Sequence, residues 1–337
     1  MAADAFADLE HFNQWLAERH MTGFWNSPRA TDEVKPCLWK WDDVSRALES
    51  SRELVPMDMV NMRTIQLHNP GLGIGMTKTL HFSIQSLAPG ERTKAHRNLV
   101  SETRFVLKAS PGAIFVVDGE AFPMAPGDLI TTPNWSWHDH YNGSDEPAVW
   151  IDCMDTRLVA ALGKSMNEPF PETHQPIEKP DGYSVRTVGH AKPMPTLGER
   201  KTAPFQYRWA DTQAAIEALR ESETDGDLSD GIRLAYTNPL DGGSTYPTYS
   251  CEIQLLPQTW KGQAHRHNST TIYHAFRGSG STVVEDERFE WSQGDIFVVP
   301  PWAWHTHENR LNDDAILFSI TDQPAVTALG LYREEQR

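Results

Sequence analysis

The chain has 337 residues, enough for two domains at about 150 residues each, and its 39% hydrophobic content supports packed cores rather than disorder. With 30 Lys and Arg against 46 Asp and Glu, the net charge of −16 argues against a nucleic-acid or membrane partner recognised through clustered cations. Three cysteines (Cys37, Cys153, Cys251) form no CxxC pair, no basic leader precedes an apolar core, and no run approaches about 18 apolar residues, so a reduced, cytoplasmic protein is expected.

Residues 4–20 read as a helix: Phe6, Leu9, Phe12 and Leu16 recur at helical spacing, Trp15 lies beside them, and Asp4 is a candidate cap. Trp25, Trp39 and Trp41 follow as candidate packing residues. From about residue 76 the pattern turns to short β-rich runs: LHFSIQSL, TRFVLKA, AIFVVDGEAF, DLITTP and AVWIDCM, with Asp118-Gly119 as a hairpin signal. Seven prolines between 167 and 206 mark an extended connector, and Asp211–Ser222 reads as one helix with Ala215, Ile216 and Leu219 on a face. Strands resume near 248 as SCEIQLLP, TIYHAFRG, STVVEDERFEW, DIFVVP and AILFSIT, before an apolar stretch at Ala325–Tyr332. GLGIG at 71–75 reads as a turn and GSGS at 278–281 as a hairpin loop. The Trp135/Trp137 and Trp302/Trp304 pairs are expected in barrel cores.

The two β regions repeat each other. AHRN at 95–98 matches AHRH at 264–267, and GDLITTPNWSWHDHYN at 127–142 matches GDIFVVPPWAWHTHEN at 294–309. Such blocks indicate a duplication into two similar β-domains. In the second copy His265 and His267 share a strand face, and His305 follows a turn 40 residues beyond His265. Three imidazoles converging in a small barrel form a facial set for a divalent metal with open positions. In the first copy His96 and His138 match, but Asn98 replaces the middle histidine and Glu102 follows. Positions 96, 98, 102 and 104 share one parity, so all four can face inward from one strand, and two histidines with one carboxylate also suit Fe(II). Arg104 in such a barrel fits a carboxylate bidentately; the alternative is a salt bridge to Glu102 or Asp152.

Gly90-(x5)-His96-x-Asn98-(x3)-Glu102 and Gly127-(x5)-Pro133-(x4)-His138-(x3)-Asn142 resemble the two cupin motifs, with Asn98 where a histidine ordinarily stands. Over about 55–335 the chain resembles the bicupin dioxygenases that act on gentisate, salicylate and 1-hydroxy-2-naphthoate, most specifically in AHRNLVSETRFVL, TTPNWSWHDHYN, AVWIDCMD, AHRHNSTTIYHAF and VVPPWAWHTHEN. The resemblance implies an all-β fold of tandem double-stranded β-helices, with an N-terminal helical segment (1–75), a first cupin (76–165), a Pro-rich connector with one helix (166–247) and a second cupin (248–337). It also implies a homotetrameric, non-haem Fe(II) enzyme of the extradiol-type ring-cleavage class, with O2 as co-substrate and a small aromatic carboxylic acid as partner.

Carried over by position, the metal ligands fall on His96, Asn98 and His138, with Glu102 adjacent. The substrate groups fall on Arg104, Gln85, His140 and Asp152, where Asp152 orients His140 or His138. His81 stands where a tryptophan is common, and Tyr273 stands in the second copy where Arg104 stands in the first. The first half thus has the substrate groups and an imperfect metal set; the second has His265, His267 and His305 but no matching arginine. The expected activity is O2-dependent cleavage of a salicylate- or gentisate-type acid between its carboxyl- and hydroxyl-bearing carbons, centred in the first half. The alternatives are chemistry moved to the second half, a different metal-dependent oxidation of an aromatic acid, a Mn-dependent decarboxylase, and a non-catalytic bicupin that binds such an acid.

Overall fold

The computed structural model describes residues 8–19, 21, 32–57, 60, 62–190, 202–222 and 228–337. They form two compact units, Met1–Glu33 and Val34–Arg337. In the first unit a helix spans Leu9–Ala17, and the Asp8 carboxylate accepts the His11 N–H at 2.9 Å as the N-cap. Asp4, Phe6 and Trp25 lie outside the described residues.

The second unit is mostly strand and contains two barrels, each a six-stranded sheet facing a five-stranded one. In the first barrel the larger sheet has the order Phe205–Tyr207, Leu129–Thr132, Glu102–Lys108, Ala148–Met154, His81–Leu87, Thr64–Gln66. The smaller has Asn167–Pro169, His96–Asn98, His138–Asn142, Ala113–Val117, Glu120–Pro123. The second barrel repeats this plan: its larger sheet runs from Cys37–Trp39 through Ile296–Val299, Thr271–Arg277, Ala315–Thr321 and Ser250–Leu256 to Ile232–Ala235. The first barrel therefore takes strands from outside 76–165, and the second from outside 248–337. Asp118 and Gly119, both at positive φ, turn the hairpin in which Val117 faces Glu120, as the sequence indicates.

Side-chain alternation along the larger sheets gives three cores. Phe82, Ile84, Phe105, Val149, Ile151 and Cys153 point out of the first barrel and pack against Cys251, Ile253, Phe318 and Ile320 of the second; Phe105 stacks on Phe318 with centroids 4.0 Å apart. The neighbouring residues of the same strands point inward: Val106, Ala148 and Trp150, joined by Phe115 of the smaller sheet, fill the first barrel, and Leu256, Ala275, Phe297 and Leu317 fill the second. His81, Ser83, Glu102, Arg104 and Asp152 share these inward faces.

The duplication reaches further than its histidine blocks, because the halves exchange arms. Cys37–Trp39, ahead of the first barrel, pairs with Ile296–Val299 of the second. Phe205–Tyr207, ahead of the second, pairs with Leu129–Thr132 of the first. Each arm continues into a helix, Trp41–Leu54 and Trp209–Glu221. An aspartate of the opposite barrel accepts the first helical N–H: Asp295 from Trp41 and Asp128 from Trp209, both at 2.8 Å.

Several expectations change. The second helix starts at Trp209 and buries Trp209, Thr212 and Ile216, while Ala215 faces solvent. In GSGS only Gly278 lies in the turn; Ser279–Val284 is a strand, and a Cβ on Gly280 would collide with the Trp291 ring. The paired tryptophans are not core. Arg97 lies over Trp135 and Trp137 at 4.4 and 4.3 Å, and Arg266 lies over Trp302 and Trp304 at 4.4 and 4.7 Å, forming two half-exposed cation–π clamps. No described helix is long and apolar enough to cross a membrane.

The arm crossings are sterically exacting. Gly127 has φ +88, and a Cβ there would sit 2.7 Å from Trp209 Cγ; Gly294, at φ +96, stands closer still to Trp41. Gly127→Ala and Gly294→Ala are each expected to destabilise the protein by roughly 2–4 kcal/mol, combining positive-φ strain with overpacking against a fixed ring. Urea denaturation followed by tryptophan fluorescence measures this.

Candidate functional site

In the first barrel the four same-parity residues come from two strands, not one. His96 and Asn98 lie in the smaller sheet and Glu102 and Arg104 in the larger, with the chain crossing between sheets at 99–101. They still meet: all four line a cavity of about 440 Å³ with His81, Ser83, Asp152 and Met62. The His96 and His138 rings lie 4.3 Å apart, centroid to centroid, and His96 is paired directly opposite His138 across the strands. Each Nδ1 is tied to a backbone carbonyl, Lys94 O at 3.1 Å and Ser136 O at 3.0 Å. His138 Nε2 is buried with no hydrogen-bond partner. Burial drives the His138 pKa down to about 3, and the neutral imidazole that results is the form a metal binds.

Asn98 does not present its oxygen to this centre. Its Oδ1 accepts the Val100 N–H at 2.9 Å and its Nδ2 donates to Glu102 Oε1 at 2.6 Å, so it positions Glu102. Glu102 Oε2 lies 3.8 Å from His138 Nε2 and also takes a hydrogen bond from Arg104. Burial raises the Glu102 pKa, but Arg104, His138 and Asn98 outweigh it and bring it to about 2.

Arg104 is 2% exposed. It donates to Thr132 Oγ1 at 2.8 Å, lies over Phe115 at 4.7 Å and pairs through Nε with Asp152 at 3.0 Å. The arginine thus makes both of the salt bridges that were the alternative reading. Of its five N–H groups two donate hydrogen bonds, to Thr132 and Glu102, while Nε–H faces Asp152 as an ion pair without a hydrogen bond, so the guanidinium retains donors for a further acceptor. Burial outweighs Arg104 at Asp152 and raises that pKa to about 7. Asp152 also accepts the Trp150 indole N–H at 2.9 Å, and it contacts Arg104 rather than His138 or His140.

His140 stacks between Phe115 and Trp150 at 4.4 and 4.6 Å, with both ring nitrogens buried and unpartnered. Burial, with Arg104 second, holds its pKa well below the usual value. Gln85 is likewise buried with both amide atoms unpartnered. Neither is among the residues lining the 440 Å³ cavity; His81 is, and both of its ring nitrogens are also buried without a partner.

In the second barrel the expected triad forms. Among the described residues, His265, His267 and His305 are the one group of His, Cys, Asp or Glu whose ligand atoms all lie within 4.8 Å of one another. Ring separations are 4.2 Å for His265–His305 and 5.0 Å for His267–His305. His305 Nε2 is buried and unpartnered. The sequence reading missed two residues here. Asp230 lies 3.8 Å from His265, and Arg233, opposite Gln254 in the neighbouring strand, bonds Asp230 at 2.7 Å. Neither matches a first-half site residue by position, so the repeat gave no signal for them.

The Cupin domain model matches residues 83–154 and 252–321. A 5-aminosalicylate 1,2-dioxygenase of Comamonas sp is 36% identical over 349 residues, spanning 99% of this chain and 92% of that protein. A 1-hydroxy-2-naphthoate 1,2-dioxygenase of Nocardioides sp. is 35% identical across 96% of this chain and 84% of its own length. A gentisate 1,2-dioxygenase of Aquipseudomonas alcaligenes is 36% identical, across 89% and 87%. The crystal structure of a salicylate 1,2-dioxygenase from Pseudaminobacter salicylatoxidans superposes with a TM-score of 0.89 at 28% identity over 99% of both chains.

Removing the guanidinium would strand Glu102 as a buried, uncompensated charge. Arg104→Met is expected to cost about 3–5 kcal/mol in urea denaturation. Asp152→Asn keeps an acceptor for Trp150 and is expected to cost less than about 1.5 kcal/mol.

Proposed function

Because this chain belongs to the bicupin family of gentisate, salicylate and 1-hydroxy-2-naphthoate dioxygenases, we propose that it cleaves the ring of a salicylate- or gentisate-type aromatic acid with O2, between the carboxyl- and hydroxyl-bearing carbons. The observation that carries this reading is the buried Arg104, which spends only two of its five N–H groups on hydrogen bonds, lining the same cavity as His96 and Glu102. An inward guanidinium beside imidazoles is a site for a small planar anion that must also reach a metal. His96 and His138, with Glu102 as the anionic partner, would hold Fe(II), which supplies open positions for the substrate oxygens and for O2 and a path for electrons between them.

The protein's own groups do the rest. Arg104 grips the carboxylate and sets the angle at which the ring enters. Glu102 and Thr132 keep the guanidinium from swinging, which limits the orientational freedom lost on binding. Asn98 holds Glu102 toward the imidazoles. Phe115 and Trp150 clamp His140 as a neutral ring behind Arg104, where an imidazolium would repel it. Gln85 shares the inward face of that wall. Met62 and Met154 give the cavity an apolar side for the ring. The same reading assigns a homotetramer, which light scattering checks.

Arg104→Lys keeps the charge but lacks the fork. It is expected to lower kcat/KM for salicylate, gentisate or 5-aminosalicylate by about 10²–10³-fold in O2-uptake assays, with iron content unchanged. Parallel loss of iron and activity would assign Arg104 to the metal site instead. An iron-loaded protein that consumes no O2 with any of these acids would make the chain a binding protein.

Asp152 gives this site a pH dependence. Below about 7 it is protonated and the Arg104–Glu102–Asp152 cluster is neutral; above that it gains a negative charge facing an anionic substrate. KM for the acid is therefore expected to rise above neutral pH, and Asp152→Asn is expected to flatten that rise.

A further inference from the structure

We propose that the cavity between the Trp41–Leu54 helix and the seam of the two barrels is a second small-molecule site, which takes an aromatic carboxylic acid by its carboxylate. The inference does not depend on the ring-cleavage reading. The cavity holds about 550 Å³, within the range of sites for small organic ligands. It forms where one exchanged arm crosses the outward faces of both larger sheets, and it shares no lining residue with the 440 Å³ cavity of the first barrel.

The two arms are copies of one another, and the other arm shows what this crossing lacks. Counted from Trp41 and Trp209, Arg52 corresponds to Arg220, and the repeat pairs Pro147 with Asp314. Arg220 grips Asp314 with two nitrogens, at 2.6 and 3.3 Å. Pro147 offers Arg52 no carboxylate, and the Arg52 guanidinium donates to the Ser86 hydroxyl at 2.9 Å. A planar fork that holds a carboxylate in one copy is thus left without that partner in the other.

The second departure is His274, which stands in an apolar seam where the first copy has Phe105. The Phe105 ring meets it edge-on, with centroids 6.1 Å apart. His274 is 2% exposed, and its Nδ1 is buried without a hydrogen-bond partner. A bare polar nitrogen in such surroundings is costly unless a ligand group meets it. Both departures border the same cavity, and Trp41, Leu48, Leu107 and Phe276 give it apolar walls that suit a ring. Arg52 and Lys108 outnumber Glu49 in its lining; Lys108 is tied to the exposed Glu146 at 2.9 Å. Arg52 therefore takes the carboxylate, the apolar side chains take the ring, and His274 Nδ1 meets a polar substituent on it.

The probe is 3-bromo-4-hydroxybenzoate, whose carboxylate and hydroxyl are too far apart on the ring to chelate one ion. In crystals of the intact protein soaked with it, anomalous diffraction at the bromine edge is expected to place a bromine in this cavity with the carboxylate on Arg52. In calorimetry, Arg52→Gln and Pro147→Asp are each expected to weaken binding by about tenfold or more, the second by giving Arg52 the kind of partner that Arg220 has. His274→Phe is expected to weaken it by about threefold or more. The amide of the probe is expected to bind about tenfold more weakly than the acid, and inorganic phosphate is expected not to displace it. Unchanged urea midpoints show that the variants fold, and Pro147→Asp, which removes no polar contact, decides the matter where Arg52→Gln does not fold. A cavity without bromine, or displacement by phosphate, overturns the proposal. So does an affinity unchanged in both variants, which would mean binding at crystal concentration only. Affinity lost in Arg104→Lys reports the first cavity instead, so this proposal and the ring-cleavage reading fail separately.

Discussion

The larger sheet of each barrel has two buried faces, and everything else follows from that constraint. Along Glu102–Lys108, Thr103 and Phe105 point toward the neighbouring barrel, while Glu102, Arg104 and Val106 point into their own. Along Ala148–Met154 the same division separates Val149, Ile151 and Cys153 from Ala148, Trp150 and Asp152. A period of two ties the seam between barrels to the chemistry within them. A one-residue slip would drive Phe105 into the cavity and Arg104 into the apolar seam, so Phe105 stacked on Phe318 sets the register that aims the guanidinium.

The charged cluster that results is stable only as a unit. Arg104 is surrounded by Glu102, Asp152, Thr132 and the face of Phe115, and burial at these positions penalises every charge not matched by another. Glu102 is matched three times over and stays ionised; Asp152, sharing the same guanidinium, is the group that carries the proton near neutrality. One more anion beside the cluster would be met by least repulsion when Asp152 is protonated, with the Arg104 ion pairs left intact.

What the sequence disclosed was local, and what it concealed was topological. Alternation and turn residues placed the strands from LHFSIQSL to AILFSIT, and the repeated AHR and WxWH blocks located both histidine sets, because a strand face and a hairpin are written in adjacent residues. The break between Asn98 and Glu102 was hidden, since parity survives when a chain crosses from one sheet to the other. Trp135 and Trp302 read as core from composition, yet their Arg97 and Arg266 partners lie on a neighbouring strand and draw them to the surface. The exchanged arms could not be read either. The resemblance of Trp41 to Trp209 shows that the arms are homologous, but not that each caps the other half through Asp295 and Asp128. Asp230 and Arg233 were missed for the same reason: they reach the second barrel from an edge strand and the turn before it, outside both repeated motifs.

The two halves keep one architecture and distribute its polar groups differently. In each barrel a guanidinium contacts two carboxylates, one of which lies 3.8 Å from an imidazole nitrogen: Arg104 with Glu102 and Asp152, Arg233 with Asp230 and Glu252. The arginine enters the first barrel from a central strand of the sheet and the second from its edge. The central-strand arginine has neighbouring strands on both sides and is 2% exposed. An edge-strand arginine is partly open, with 42% of its side chain exposed, and shares its charge with water. The first arrangement keeps its guanidinium dry beside a cavity; the second leaves its guanidinium half in water. Duplication followed by this exchange of entry points thus gives the two barrels different polar interiors, within one fold and without a change in the strand plan.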